Sequence, residues 1–526
     1  MKNSVVNKFK NIVNNYDLLP LLLFLVTSSL FFIISFVNID QPILGVHDFR
    51  RSQTALTAFY MIKEGFKFDY ITPVVGYPWS IPFEFPIYQV IVSLLCNIFD
   101  SSLIITGRVV SILFAYFCTF PIYLSLNILN FRRRDIYYLI SIFLASPIYI
   151  FWSSTFMIES CALFFTLFFI FYAIKIFMGK NNILIFFNFS LFLLLALLQK
   201  ATTALPVLFI VCLVYLMKID FKNLGNKFSN HIKFFFSILF PLVFLYCWTM
   251  YTDQLKSLNP IGLFFTSYNL KGWVWGANAI FESRLSSQLW INALIGTIKQ
   301  NSFLYLSFIS IIFSLFISKG NHRKIIVVSL ILFISHFLFF PILHRVHNYY
   351  QYSNYIYFVV AFVISLIIIS EYFIKKFRIK LFKVATIQTF IFIVLVVILF
   401  IKFFDSSYAK AKFKKITDDN NRVIPVSNFI KKNTKEEDVI IVYGFEYSSV
   451  IAFHSERKAL TLPYGKWDID AINNTRKYLH DLRLGAIINC YYDNHPNKKL
   501  IDELIINKYH EKPYSVKNCK IYLIKN

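Results

Sequence analysis

Residues 18–37 read LLPLLLFLVTSSLFFIISFV, a run of twenty residues without a charge. A run of this length is what an α-helix needs to cross the hydrocarbon core of a bilayer. Lys2, Lys8 and Lys10 precede it, and it lacks the short apolar core and the small-residue cleavage site of a secretory signal. It is therefore predicted to be a retained first span with its N-terminus in the cytoplasm.

Apolar blocks of the same kind recur along the chain. Of its 526 residues 57% are apolar, 19% aromatic and 15% charged, and the mean hydropathy is +0.59. Soluble domains carry about 25% charged residues, so a soluble multidomain enzyme is excluded. Further spans are expected at about 103–130, 136–153, 160–178, 183–199, 201–217, 234–251, 302–318, 325–343, 355–370 and 384–404. The predicted fold class is a polytopic α-helical membrane protein with about eleven transmembrane helices.

The formal net charge of +25 comes from lysines and arginines that cluster between the apolar blocks. Such clusters are typical of cytoplasmic loops and not of a nucleic-acid surface, so membrane lipids and no nucleic acid are the expected surroundings. The clusters all fall on the cytoplasmic side if the run 85–99, which is too short for a comfortable span, does not cross and is interfacial or re-entrant. A first outer loop with juxtamembrane helices then covers 39–102, and the residues from about 405 onward also lie outside.

The C-terminal tail alternates strand-like runs with helix-like segments. The strand-like runs are Val439–Tyr443, Ala459–Leu462, Ala486–Tyr491 and Lys520–Ile524. They predict a small extracytoplasmic α/β domain over 405–526, after a transmembrane catalytic domain over 1–404. Cys490 and Cys519 could pair if the tail is exported, which the sequence leaves open. No cysteine or histidine spacing indicates a metal, and no nucleotide-binding pattern indicates a cofactor.

The densest polar stretch follows the first span and reads Gly45-Val46-His47-Asp48-Phe49-Arg50-Arg51-Ser52. If a helix begins at Asp48, the residues His47, Arg50, Arg51 and Thr54 share one face. A carboxylate beside two guanidinium groups suits a reaction in which a base takes a hydroxyl proton while cations stabilise a departing phosphate. The alternative is an ordinary helix start, with the arginines at lipid headgroups.

Three more ionisable residues stand at predicted outer boundaries. Glu84 lies between Pro82 and Pro86, which predicts a loop held against a polar partner, or a plain helix start. Glu159 lies in strongly apolar sequence, where an acid faces a cavity or a cation unless it snorkels to the surface. Lys200 separates two apolar blocks, where it suits a lipid phosphate or a helix-end anchor.

A last outer cluster reads His344-Arg345-Val346-His347-Asn348-Tyr349-Tyr350. Arg345 suits a phosphate, and the tyrosines suit a sugar ring or an isoprenoid chain, although an aromatic belt at the membrane surface is the alternative. All of these clusters fall on one predicted face of the membrane. We therefore expect an outer pocket that gathers them and holds the phosphate head of a lipid substrate.

The order and spacing of these motifs resemble the GT-C glycosyltransferases, in particular bacterial aminoarabinose transferases and protein O-mannosyltransferases. The matching motifs are His47-Asp48-Phe49-Arg50, Glu84-Phe85-Pro86, Gly107-Arg108, Ser146-Pro147 with Glu159, Lys200, and Arg345 to Tyr350. The resemblance covers roughly 15–360 and, more loosely, the tail. It implies a GT-C fold in the cell inner membrane and transfer of a sugar from a polyprenyl-phosphate-linked donor to a lipid, glycan or protein acceptor on the outer face.

The resemblance also implies roles for single residues. Asp48 would be the base and Glu159 would support it, in an inverting displacement that needs no metal. This chain has His47-Asp48 where the family has Asp-Glu, and Glu159 where it has Asp, so His47 could share or take the proton. The cations Arg50, Arg51, Lys200 and Arg345 would neutralise the departing phosphate, and the remaining substrate contacts would come from Glu84, His347, Tyr349 and Tyr350.

Two other functions compete with this one. A lipid-linked glycan flippase or exporter would also carry outer charged clusters, but it should place charges through the middle of the membrane, where few are found. A polysaccharide polymerase or ligase would fit a large outer loop between late spans better than the early loop at 39–102.

Overall fold

The computed structural model describes residues 18–218, 224–276, 280–377, 381–462, 465 and 467–525. The chain divides into two compact units. The first contains 1–37, 111–245 and 271–413, and the second contains 38–110, 246–270 and 414–526. The second unit thus joins the first outer loop to the tail. The predicted boundary at residue 404 separates the membrane-spanning blocks from the tail, and it stays a prediction.

Long apolar helices make up most of the first unit, and two of them, Leu103–Ile128 and Phe228–Ser257, also contain residues of the second unit. Within the described residues, eight helices are long and apolar enough to cross a membrane, or up to ten if two bent helix pairs are each one span. The eight are Leu18–Phe36, Leu103–Ile128, Glu159–Phe177, Ile183–Leu216, Phe228–Ser257, Gly320–Phe339, Asn348–Lys376 and Thr386–Asp405. The predicted polytopic membrane fold is confirmed.

The two bent pairs have sharp angles. Arg133–Ala145 and Pro147–Ser153 meet at 61°, and Gln288–Asn301 and Leu304–Ile317 meet at 95°. Ser146 has extended backbone angles (φ −68°, ψ 129°) because the ring of Pro147 disfavours a helical conformation at the residue before it. The predicted span 136–153 is therefore broken near its middle.

Helix Ile183–Leu216 folds back on itself at Lys200. Lys200 has non-helical angles (φ −162°, ψ 92°). The ring of Phe234 lies 5.5 Å from that of Phe189 and 3.6 Å from that of Tyr215. In a straight helix Phe189 and Tyr215 would be about 39 Å apart, at 1.5 Å per residue. The helix therefore holds both spans that the sequence predicts, at 183–199 and 201–217.

Counting this hairpin as two spans changes the total. The eight candidates become nine within the described residues, or eleven with both bent pairs. By contrast, helix Ile87–Phe99 has 13 residues and is too short to cross. This agrees with its predicted interfacial position.

A five-stranded sheet forms the core of the second unit. Its strands are β1 Val439–Tyr443, β2 Lys458–Thr461, β3 Leu484–Asn489, β4 Tyr514–Val516 and β5 Cys519–Leu523, in the order β2-β1-β3-β5-β4. The strands β2, β1 and β3 are parallel, and β5 is antiparallel to β3 and β4. The sequence predicts four of the five. It misses β4, which has only three residues and is mostly exposed.

The first outer loop adds a short extended segment to the edge of this sheet. Pro73 O accepts a hydrogen bond from Ala459 N at 3.0 Å, Val74 O accepts one from Thr461 N at 2.8 Å, and Val75 forms an antiparallel bridge with Leu460. A disulfide joins Cys490, directly after the central strand β3, to Cys519 at the start of β5. The loop and the tail thus share one hydrogen-bonded sheet.

The remaining helices are short or lie in the tail. In the first unit and the loops they are Asp48–Glu64, Ser267–Trp275, Ile280–Leu285, Pro341–Val346 and Ser407–Phe413. In the tail they are Val423–Asn433, Val450–Ser455, Asp468–Asn473, Thr475–Leu479 and Asn497–Tyr509. Helix Asp48–Glu64, which begins at the densest polar stretch of the sequence, belongs to the second unit together with the tail helices.

Candidate active site

Asp48 and Arg51 lie in the first turn of helix Asp48–Glu64, where each side chain feels the charge of the other. Asp48 Oδ2 accepts a hydrogen bond from Gly45 N at 3.0 Å, and Arg51 Nη2 donates to Leu44 O at 2.8 Å. Burial raises the pKa of Asp48, while the Gly45 hydrogen bond and the charge of Arg51 act to lower it. Burial lowers the pKa of Arg51 to about 10, against the charge of Asp48. The result is a carboxylate of increased basicity beside a buried cation.

Arg50 points to a different partner, Glu84. Arg50 Nη2 donates to Glu84 Oε2 at 2.9 Å, and Gln89 Nε2 donates to Glu84 Oε1 at 3.0 Å. Burial acts to raise the pKa of Glu84, but the charge and hydrogen bond of Arg50 outweigh it and the pKa is lowered. Glu84 is therefore an ionised group whose two oxygens are both in use. The loop that carries it is fixed by Tyr70, whose hydroxyl donates to Glu84 O at 2.8 Å.

The expected common face of the helix is thus only partly formed. The helix does begin at Asp48, as predicted, but its two arginines take separate partners. His47 precedes it in the left-handed backbone region (φ 50°), with its ring 6.1 Å from that of Phe49. Thr54 donates its hydroxyl to Arg50 O within the helix.

Glu159 and Lys200 form a buried ion pair in the first unit. Lys200 Nζ lies 2.5 Å from Glu159 Oε2, and the two side chains are 8% and 3% exposed. Neither residue therefore snorkels to the surface, which was the alternative for Glu159. Glu159 begins its helix, and Lys200 occupies the turn of the hairpin. Glu159 Oε1 accepts no hydrogen bond from the described residues, so one carboxylate oxygen is left for another donor.

Aromatic rings surround this ion pair. Lys200 Nζ lies 4.0 Å from the ring centroid of Tyr350 and 5.2 Å from that of Tyr349. The ring of His347 stacks on Tyr349 at 5.4 Å. Tyr349 is buried and therefore does not belong to an aromatic belt facing lipid. The structure thus brings Glu159, Lys200, Tyr349 and Tyr350 together, as a cation held between a carboxylate and ring faces.

The two remaining ionisable residues of the last cluster, His344 and Arg345, differ in their exposure. Arg345 is exposed on the short helix Pro341–Val346. His344 is buried, and this burial holds its pKa well below the usual value. Its carbonyl accepts a hydrogen bond from Gln351 Nε2 at 2.7 Å. His344 is therefore a neutral structural group, and Arg345 is the accessible cation.

Sequence reasoning missed two residues beside Glu84. Gln89 follows Glu84 by five residues, in the first turn of helix Ile87–Phe99. A polar amide in the first turn of an otherwise apolar helix, just after an acid and a proline, could have indicated a partner for Glu84. Lys256 is buried, with Nζ 5.0 Å from the ring centroid of Phe83 and 3.5 Å from Asp253 Oδ1. Because Lys256 is distant in sequence, only the fold could find it. Among the described residues, no group of three histidine, cysteine or acidic side chains is placed to hold a metal.

Comparison with solved structures identifies the fold. The chain matches ArnT from Cupriavidus metallidurans bound to undecaprenyl phosphate with a TM-score of 0.60 and 9% identity, over 96% of this chain and 98% of ArnT. It matches the oligosaccharyltransferase AglB from Archaeoglobus fulgidus, in complex with an inhibitory peptide and a dolichol-phosphate, with a TM-score of 0.51 and 11% identity, over 89% and 69% of the two chains. No protein-family model matches, and a search of curated proteins finds no match in sequence. Both solved proteins have the GT-C fold, and this chain shares it.

Proposed function

We propose that this chain, which has the GT-C fold, is a membrane glycosyltransferase that moves a sugar from a polyprenyl-phosphate-linked donor to an acceptor on the outer face of the membrane. The observation that carries the proposal is the likeness to ArnT over 96% of the chain, since that structure holds undecaprenyl phosphate. The charged clusters supply groups of the kinds that such a transfer needs.

Asp48 is the proposed base. Its carboxylate would take the proton of the acceptor hydroxyl as the hydroxyl oxygen attacks the anomeric carbon of the donor. The bond from that carbon to the phosphate oxygen breaks on the opposite side, and its electron pair leaves with the polyprenyl phosphate. The product is inverted at the anomeric carbon. The raised pKa of Asp48 favours this role because a more basic carboxylate accepts a proton more readily.

Arg51 would stabilise negative charge near Asp48, and Glu84 would act by holding Arg50 in place. This reassigns Glu84 from a substrate contact to a positioning residue, since Arg50 and Gln89 already occupy both of its oxygens. His47 adjoins the base and is the second candidate for the proton.

Lys200 and Arg345 are the proposed phosphate ligands of the first unit. Glu159 fixes the Lys200 ammonium at 2.5 Å, and the tyrosine rings flank it. Such an arrangement restricts a flexible lysine to one position and so lowers the entropic cost of binding an anion. Tyr349, Tyr350 and His347 would border the same phosphate.

The proposed location is the cell inner membrane, with the N-terminus in the cytoplasm and the tail outside. The disulfide between Cys490 and Cys519 supports an exported tail, because such bonds persist in oxidising compartments.

The test is transfer by the purified protein. The full chain in lipid nanodiscs is incubated with radiolabelled polyprenyl-phosphate sugars and envelope lipid acceptors, and the release of polyprenyl phosphate is followed. We expect release for at least one donor, lowered at least roughly a hundredfold in Asp48→Asn. The matched control is Asp69→Asn, an exposed acid of the same unit. Full activity of Asp48→Asn would reject Asp48 as the base and leave His47→Gln to be tested.

A further inference from the structure

The carboxyl ends of β1 and β3 lie side by side in the second unit, and we call these ends, with the loops 444–449 and 490–496 that follow them, the strand-end site. From β1 the chain proceeds to β2 on one side, whereas from β3 it proceeds to β4 and β5 on the other. The chain therefore continues from these two neighbouring strands toward opposite sides of the sheet, although the two loops are in contact where they begin. In open sheets with parallel strands, ligands bind outside the carboxyl ends of strands at such a divergence.

The backbone at this strand-end site has three successive positive-φ positions interrupted only by Phe445 and a close approach of the two loops. Gly444 directly follows β1 with φ +85°, and a Cβ there would lie 2.7 to 2.9 Å from the backbone of Cys490 and Tyr491. Only glycine allows the two loops to approach this closely. Glu446 and Tyr447 then adopt φ values of 36° and 58°, in the left-handed region that side chains disfavour. Strained residues of this kind cluster at ligand sites.

Arg422 lies between the two loops. Its guanidinium carbon is 4.7 Å from the ring centroid of Phe445 and 5.3 Å from that of Tyr492. Its Nη1 donates to Cys490 O at 3.1 Å. Among the described residues this is the only hydrogen bond of the Arg422 side chain, and no carboxylate lies within ion-pairing distance of it. Two acids of the neighbouring segments, Asp493 and Asp419, pair with Lys498 and Lys517 instead.

The aromatic partner Tyr492 is 65% exposed. One face of its ring is near Arg422, so the rest of the ring is available to solvent. Most of the guanidinium donors are likewise unused, and a guanidinium binds carboxylate or phosphate through two parallel hydrogen bonds. An aromatic face beside such donors matches a ligand with both an apolar ring face and an anionic group.

We propose that this strand-end site binds an anionic sugar, with the acid group on Arg422 and the pyranose ring on Tyr492. That the sugar is part of the acceptor rests on the proposed function. Binding itself does not need transfer, so the two can fail separately. Glu446, which is exposed on the loop after β1, would accept hydrogen bonds from the hydroxyl groups of the sugar.

The experiment measures binding to the full chain in nanodiscs by calorimetry. The probes are trigalacturonate, the uncharged maltotriose and inorganic phosphate. We expect trigalacturonate to bind at least roughly tenfold more tightly than either of the others, because only it offers both the anion and the ring. We also expect at least roughly tenfold weaker binding in Arg422→Ala and in Tyr492→Ala.

The controls are Arg476→Ala and Tyr514→Ala, an exposed arginine and a half-exposed tyrosine of the same unit. If Arg422→Ala fails to fold, as judged by thermal unfolding, Arg422→Lys keeps the charge and loses the paired donors. Asp48→Asn should bind as the unaltered chain does, whatever its transfer activity. Equal binding of maltotriose or phosphate, or unchanged binding in both Arg422→Lys and Tyr492→Ala, would overturn the proposal.

Discussion

Among single residues, Asp48 is the one whose surroundings favour a chemical role most clearly. Burial raises its pKa, and the adjacent charge of Arg51 limits the rise. A carboxylate base works only when deprotonated, so its activity increases as the pH rises through its pKa. The pH dependence of transfer therefore reports on this pair.

We predict that Arg51→Gln moves the acidic limb of the kcat/KM profile to higher pH. The reason is that Gln removes the positive charge that lowers the pKa of Asp48. Arg51→Lys keeps that charge and should leave the limb near its original position. The profile is measured by polyprenyl phosphate release between about pH 4 and 9, where the folded protein is expected to persist. An unmoved limb in Arg51→Gln would mean that another group titrates.

We predict that Glu84→Gln destabilises the chain by about 3 kcal/mol, since it leaves Arg50 as a buried charge without its partner. The comparison is Asp481→Asn, which breaks the exposed pair with Arg476 and should cost under about 0.5 kcal/mol. Thermal unfolding in one detergent gives both values. Equal effects in the two variants would show that the Arg50–Glu84 pair is not a structural support.

The sequence marked these residues but not their pairing. Glu159 and Lys200 stand out because charges are rare in apolar sequence, and the structure joins them. Arg50 and Glu84 were both marked as well, yet their ion pair spans 34 positions. Side-chain partners at that distance depend on how the loop packs, which no local pattern encodes.

At the scale of helices and strands, the hairpin at Lys200 decides the topology. One 34-residue helix would place its two ends on opposite sides of a membrane, whereas a hairpin places them on the same side. The apolar blocks predicted the two spans because a charge separates them. The bend angles of the broken pairs depend on packing and could not be predicted.

We predict that cysteines at Lys180→Cys and Met217→Cys are labelled from the same side of the membrane. The background has its five free cysteines replaced by serine. A membrane-impermeant maleimide should label neither position in intact spheroplasts and both after permeabilisation. Asp100→Cys, in the first outer loop, is the control that should be labelled without permeabilisation. Labelling of only one of the first two positions would contradict the hairpin.

At the scale of the whole molecule, the second unit is assembled from distant parts of the chain. Hydrogen bonds join Pro73 and Val74 to the edge strand β2, and Ser52 Oγ lies 2.7 Å from Ser449 Oγ. Hydropathy predicted a separate tail domain because it records composition and not partners. The loop and the tail belong to one compact unit, and the predicted boundary at residue 404 stays a prediction.

We predict that replacing both Cys490 and Cys519 by serine lowers the stability of this unit by about 3 kcal/mol, because the disulfide restricts the unfolded chain. Cys247→Ser, at an exposed free thiol, should have little effect. Proteolysis of the tail in nanodiscs under increasing urea measures the difference. In protein isolated from the envelope, alkylation of Cys490 and Cys519 should require prior reduction. Free thiols at these positions would argue against an exported tail.

The shared sheet also sets an order of events during synthesis. The segment at 73–75 leaves the ribosome some 380 residues before its partner strand, a delay of roughly 20 to 80 s at 5 to 20 residues per second. Throughout that interval the emerged segment has no strand to pair with. Protection of the nascent segment during that interval therefore has to come from contacts other than those of the sheet.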